Sequence, residues 1–148
     1  MKKKILLVCS NGGHYVQLSI LASAFSGHDV VWAVSGTDTL LARKDGYCLI
    51  EANKTTPIKV VGLAFQISRI LIAKRPDVIV STGAAPGLLA VALSRLVGAK
   101  AKTIWIDSIA NSARLSLSGR IARHFASETL TQWRHLETPT VHYWGAVL

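Results

Sequence analysis

Acidic residues are scarce in this chain: eight Asp and Glu stand against 17 Lys and Arg in 148 residues, a formal charge of +9. Such an imbalance favours anionic partners, of which nucleic acid, acidic lipid headgroups and phosphorylated small molecules are the candidates. Aromatic residues make up only 7%, are not interleaved with the basic positions in a stacking pattern, and accompany no zinc-finger or RNP-like string, which argues against nucleic acid. Cysteine is nearly absent. Cys9 and Cys48 stand alone in apolar, strand-like runs, with no CxxC and no His pair at metal spacing, so both are read as reduced, buried thiols and no metal site is expected. Long hydrophobic runs are missing as well: none reaches the ~18 uninterrupted apolar residues of a spanning helix. Lys2 to Lys4 resemble the start of a signal peptide, but the apolar run behind them stops at Ser10-Asn11-Gly12, short of a usual h-region, so the chain is expected to stay inside the cell.

Half of the residues are hydrophobic and 17% charged, as in a folded domain rather than a disordered chain. The length suits one core of ordinary size, and no linker, repeat or low-complexity segment interrupts it, so residues 1–148 are read as a single domain. Short Val/Ile/Leu runs alternate with longer stretches that fit helices. Strands are expected near 4–9, 29–34, 46–51, 77–81, 102–107, 128–132 and 140–144, with helices near 14–25, 57–74, 86–98 and 115–125 and a shorter one near 37–44. The strand runs are continuously apolar, as in a parallel sheet covered on both faces. Gly27, Gly46 and Gly98 follow helices as stop signals, and Pro76 ends the second long helix. The fold class is therefore α/β, a Rossmann-like, doubly wound, mainly parallel sheet whose ligands bind at the carboxyl ends of the strands.

Three stretches occupy such ends. The first, "CSNGGHYVQL" from Cys9 to Leu18, lacks the third glycine of a dinucleotide fingerprint, and the second strand closes without an acid, so NAD or FAD binding is not expected. No G-K-[ST] occurs, which removes the P-loop; no cofactor is expected. What remains is a glycine turn into a helix: Gly12 and Gly13 allow close backbone approach and expose amides where a phosphate is favoured, with Asn11 beside them and His14 in the first helical turn. A bare strand-to-helix turn with a capping histidine fits the same residues. The second stretch, "STGAAPG" from Ser81 to Gly87, offers Thr82, Gly83 and Ala84 in a similar turn, with Pro86 suited to the first turn of a helix. Two glycine turns at neighbouring strand ends form a candidate diphosphate cradle. The third, "IDSIANSARLSLSGR" from Ile106 to Arg120, brings Asp107 and Ser108 to the same rim. Asp107 either orients a sugar hydroxyl, acts as a base, or caps the next segment.

Taken with "QWRHL" at 132–136 and "YWGAVL" at 143–148, these stretches resemble the acceptor-binding subunit of two-component glycosyltransferases. Relatives of this kind are the PssD-type proteins of exopolysaccharide and capsule assembly and the corresponding subunit of dolichol-linked glycan assembly. The chain is also similar to the amino-terminal half of the peptidoglycan lipid-intermediate N-acetylglucosaminyltransferase. The resemblance implies one half of a GT-B enzyme that binds a lipid-diphosphate-linked glycan acceptor while a separate catalytic subunit binds the nucleotide sugar, the two forming a heterodimer. It implies that Asn11, Gly12, Gly13, Thr82, Gly83 and Ala84 hold the acceptor diphosphate. His14 would deprotonate the acceptor hydroxyl or hold the diphosphate, and Asp107 and Ser108 would face the acceptor sugar.

The segment "KTTPIKVVGLAFQISRILIAKR", Lys54 to Arg75, is too apolar for an ordinary surface helix, with Lys59, Gln66 and Arg69 as its polar stripe. Packing on a sheet absorbs one face. The rest, with Phe65 and the edging Lys59, Arg69, Lys74 and Arg75, suits a peripheral contact with the cytoplasmic face of a membrane. Trp133, Tyr143, Trp144, Val147 and Leu148 near the carboxyl end form either a last strand or a docking surface for the catalytic partner. Two competing readings use the same residues: a free-standing small transferase for phosphate ligands, and a non-catalytic membrane scaffold.

Overall fold

The central Val/Ile/Leu runs, such as those at 5–8 and 79–81, are strands with both faces buried, as a parallel sheet requires. The computed structural model describes residues 1–36 and 46–148. Its strands are β1 (Lys4–Ser10), β2 (Asp29–Ser35), β3 (Gly46–Leu49), β4 (Val78–Gly83), β5 (Lys102–Ile106), β6 (Glu128–Thr131) and β7 (His142–Tyr143). They form one sheet in the order β3-β2-β1-β4-β5-β6-β7, every pair parallel. The helices are α1 (Gly13–Ala22), α2 (Pro57–Lys74), α3 (Ala84–Leu96) and α4 (Leu117–Ala122). This is the expected Rossmann-like, doubly wound architecture. The strand order reverses between β1 and β4, the position at which such sheets open a crevice for ligands.

Each face of the sheet has its own core. On one, Leu6, Val8, Val31, Ala33 and Ile79 meet Leu63, Ile67, Ile70 and Leu71 of α2 and Ala90 of α3. Trp105, fully buried, extends that face to Val91 of α3 and Ala122 of α4. On the other, Ile5, Leu7, Cys9, Val80, Ile106 and Leu130 meet Leu18 of α1 with Tyr15 and Leu21 beside it. Cys9 is enclosed as expected, and burial pushes its thiol up to about 12; Cys48, contrary to expectation, is exposed, because only the short edge strand β3 carries it.

Several boundaries differ from the expectation for local reasons. β4 runs on through Ser81, Thr82 and Gly83, and α3 starts at Ala84, so most of the second glycine stretch is strand and helix rather than loop. α1 stops at Ala22 and continues as a single tighter turn over Ser23–Phe25. α4 keeps only Leu117–Ala122, and β7 only two residues. Gly98 (φ 68°) does end α3, with the amide of Ala99 reaching the Ser94 carbonyl at 2.9 Å. That is the arrangement a left-handed glycine permits at a helix end. Gly46 instead opens β3, and the helix expected near 37–44 lies outside the described residues.

α3 sits close to β4 because residue 87 is glycine: a Cβ there would overlap the Ser81 hydroxyl and lie 3.3 Å from the Trp105 ring. Gly87→Ala should therefore lower stability by about 1–3 kcal/mol through overpacking. The shift of the denaturant midpoint at unchanged slope checks this.

Candidate functional site

The first two glycine stretches meet at the carboxyl end of the sheet, where β1 and β4 are neighbours. Register between them slips after Val8: Val8 pairs with Ser81, but Cys9 pairs with Gly83. Thr82 is thus the extra residue of a β-bulge, a device that re-aims backbone groups at strand ends. Its groups go to His14. The Nδ1–H of His14 donates to the Thr82 carbonyl at 2.8 Å, and the Thr82 hydroxyl donates to the His14 carbonyl at 2.6 Å. A carbonyl only accepts, so Nδ1 carries the hydrogen and the lone pair of the neutral ring lies on Nε2. The ring packs on Gly83, where a Cβ would come within 2.5 Å of Nδ1 and Cε1, and Gly83 has φ 141°. Only glycine meets both demands.

Two helices begin at this junction. α1 starts after Gly12 (φ 86°) and α3 after Gly83, and neither has a side-chain cap or an acidic residue in its first turn. The amides of Gly13, His14 and Tyr15 in α1 have no intrahelical partner, and the same holds for the first amides of α3, at Ala84 and Ala85. Ala84 itself adopts φ 52°, a left-handed conformation unusual for a residue with a side chain and of the kind found at functional turns. Two uncompensated helix N-termini side by side attract an anion.

The expected diphosphate residues divide by role. Gly13 and Ala84 belong to the amide-bearing turns. The Gly12 amide is instead taken by Asn11 Oδ1 at 2.8 Å, the Gly83 amide by Ser81 Oγ at 3.0 Å, and Thr82 is fully buried and committed to His14. Gly12, Thr82 and Gly83 thus shape the two turns, while Asn11, whose backbone amide donates to the Ser35 carbonyl at 3.0 Å, is exposed and keeps its Nδ2 hydrogens as donors.

Asp107 and Ser108 were expected to face a sugar, and the structure corrects that. Asp107 is 2% exposed. Its Oδ1 accepts from the Ser116 hydroxyl at 2.6 Å and from Trp105 Nε1 at 3.1 Å, and its Oδ2 accepts from the Ser116 amide at 2.9 Å. The carboxylate anchors the start of α4, the capping alternative read from the sequence in a more buried form. Ser108 Oγ accepts from Gln17 Nε2 at 3.0 Å. Gln17 and Gln132, both buried, went unnoticed in the sequence. Their one signal was an amide in an otherwise apolar helix and another directly before Trp133.

Of the residues expected at a membrane, Lys59, Phe65, Arg69 and Arg75 are exposed and Lys74 is half-buried, its Nζ lying 5.7 Å from the Tyr47 ring centroid. The outer side of α2 presents Ile58, Val61, Phe65 and Ile72, exposed by 58% to 88%, and Arg69 lies over the Phe65 ring. Gln66 leaves the expected polar stripe: it donates to the Cys48 carbonyl at 2.7 Å and accepts from the Ile50 amide at 2.9 Å. No helix among the described residues is long and apolar enough to cross a membrane.

Comparison with known proteins adds a family to this geometry. The profile described as "Oligosaccharide biosynthesis protein Alg14 like" matches residues 41–147, more than half of the chain. The protein belongs to the Alg14-like family. Among solved structures, MurG of Acinetobacter baumannii superposes with a TM-score of 0.77 at 15% identity, covering 95% of this chain and 45% of MurG. UDP-N-acetylglucosamine 2-epimerase from Rickettsia bellii gives 0.73 at 15% identity, covering 99% and 46%, and that from Methanocaldococcus jannaschii 0.71 at 14%, covering 97% and 45%. A search of curated sequences returned no match. The chain thus spans less than half the length of these structures, and at such identities they show the fold, a GT-B-type Rossmann half. As an Alg14-like protein it is placed with glycosyltransferase-associated subunits of oligosaccharide biosynthesis.

Asp107→Ala leaves three donors, the buried Trp105 Nε1–H and two of half-buried Ser116, without an acceptor. Stability should fall by about 3 kcal/mol or more, with tryptophan fluorescence changing as Trp105 loses its partner; equilibrium unfolding followed at that signal checks both.

Proposed function

We propose that this Alg14-like chain is the acceptor-binding subunit of a two-component, nucleotide-sugar-dependent glycosyltransferase, acting peripherally at the cytoplasmic face of a membrane. The observation that carries this reading is the pair of uncapped helix N-termini locked together by His14 and Thr82. Their first amides suit the diphosphate of a lipid-linked glycan acceptor, since neither helix carries a side-chain cap or an acidic residue in its first turn. The donor sugar would be held by a separate catalytic chain, the kind of partner an Alg14-like subunit implies.

In that complex His14 Nε2 takes the proton of the acceptor hydroxyl as its oxygen attacks the anomeric carbon of the donor. The bond from that carbon to the nucleotide's phosphate oxygen breaks, and the nucleotide leaves with the electron pair. The Thr82 carbonyl, already bonded to Nδ1–H, holds the ring in the required tautomer and stabilises the imidazolium that forms. The same nitrogen, when protonated, is a donor to the diphosphate; the two roles use one geometry.

The membrane surface of this reading is the outer side of α2. The only acidic residues between Ala52 and Ser127 are Asp77 and Asp107, the latter buried, so α2, α3 and α4 present Lys and Arg beside exposed Ile, Val and Phe. That combination suits anionic lipid. The partner's surface is on the opposite face. There α1 and the segment 144–147 border a groove of about 260 Å³ over Ile106 and Leu130, and Val16, Ile20, Trp144 and Leu148 are exposed.

Transfer of labelled sugar from a nucleotide donor to lipid-diphosphate acceptor should need this chain and the donor-binding chain together. His14→Ala should lower kcat by about 10²-fold or more and Gly83→Ala should weaken acceptor binding. Full-rate transfer by this chain alone would sink the two-component reading in favour of a free-standing transferase, and unchanged activity in both variants would favour a scaffold.

Co-sedimentation with phosphatidylglycerol vesicles should fall roughly tenfold in a Val61→Asp/Phe65→Asp double variant and decline with added salt. Equal sedimentation of variant and wild type would exclude the α2 surface.

A further inference from the structure

Below the cradle lies a buried pair of side-chain amides that joins four separate parts of the chain. Gln17, one turn along α1 from His14, donates through Nε2 to Ser108 Oγ at 3.0 Å. Its Oε1 accepts from the Ile109 amide at 3.2 Å and from Gln132 Nε2 at 2.7 Å. Gln132 Nε2 also donates to the Asp107 carbonyl at 3.0 Å, and its Oε1 accepts from the Val147 amide at 2.9 Å. Gln17 and Gln132 are 5% and 4% exposed, and no buried side-chain donor or acceptor among the described residues is left unpaired. The network is therefore closed, and withdrawing one partner strands another in a dry site.

We propose that Gln17 and Gln132 are positioning residues through which the seating of segment 144–148 sets the placement of His14 in the cradle. α1 is held at two points one turn apart: by Thr82 at His14, and by Ser108 and Ile109 at Gln17. A shift at the second point rotates the turn that carries the first. Among the described residues, the hydrogen-bonded link from segment 144–148 to that point is the backbone amide of Val147, bonded to the Gln132 carboxamide that is itself bonded to Gln17. Trp144 and Leu148 are 68% and 72% exposed, so a protein seated on this segment bears on the same link. Use of that link by a partner rests on the two-component reading; the link itself does not.

Val147→Pro removes the amide hydrogen and leaves an apolar side chain, and it touches no cradle residue. In the full-length chain, hydrogen exchange at 108–111 should quicken about tenfold and the imidazole resonances of His14 should move, while Leu148→Ala changes neither. Gln132→Glu retains an acceptor for Val147 but, ionised, donates nothing to Gln17 or Asp107. It should release 108–111 and shift His14 while 145–148 stays protected. Faster exchange confined to 145–148 in the proline variant, with His14 unmoved, overturns the coupling, as does a protected 108–111 in Gln132→Glu. Neither readout needs sugar transfer. Loss of the glycosyltransferase reading would leave this result standing, and its own failure would leave that reading intact.

Discussion

The reciprocal pair of hydrogen bonds between His14 and Thr82 is the constraint on which the functional end of the molecule depends. It joins the turn after β1 to the end of β4, and it requires a bulge in β4, glycine at 83 and a histidine in the first turn of α1. With the ladder slipped by one residue, Thr82 has a carbonyl and a hydroxyl free of sheet pairing, and both are consumed by one residue across the crevice. The histidine gains a defined tautomer from the same contact, because a backbone carbonyl cannot donate.

Around this contact the molecule separates polar groups that hold shape from those left free. Asn11, Ser81, Thr82, Asp107, Ser116, Gln17 and Gln132 satisfy one another and the turns they belong to. The first amides of α1 and α3 have no intrahelical partner and no side-chain cap. An uncapped helix end ordinarily carries a cost, and two of them begin at this one crevice. The two faces of the sheet differ in the same sense: three helices with almost no exposed acid lie on one, and α1 with the segment after β7 on the other.

Much of this was legible in the amino-acid order. The continuous apolar runs located all seven strands and pointed to a mainly parallel sheet, and the glycine turns marked the crevice between β1 and β4. Gly12, Gly83 and Thr82 look like ligand-binding residues in one dimension because small, polar and flexible residues serve both binding and turn-making. Asp107 looked like a sugar contact because an acid at a strand end is ordinarily exposed; the depth at which Trp105 and Ser116 enclose it comes from the packing of α3 and α4.

What the sequence determined by itself was the class of fold, the position of the crevice between β1 and β4, and the family, since these rest on periodicity and on short local motifs. Tertiary structure alone decided which atoms are free. The bulge at Thr82, the ring of His14 on Gly83, and the joining of Gln17 to Gln132 across 115 positions are contacts between residues distant along the chain. Local preference does not encode them, because each forms only where the sheet has already brought two strand ends within hydrogen-bonding distance.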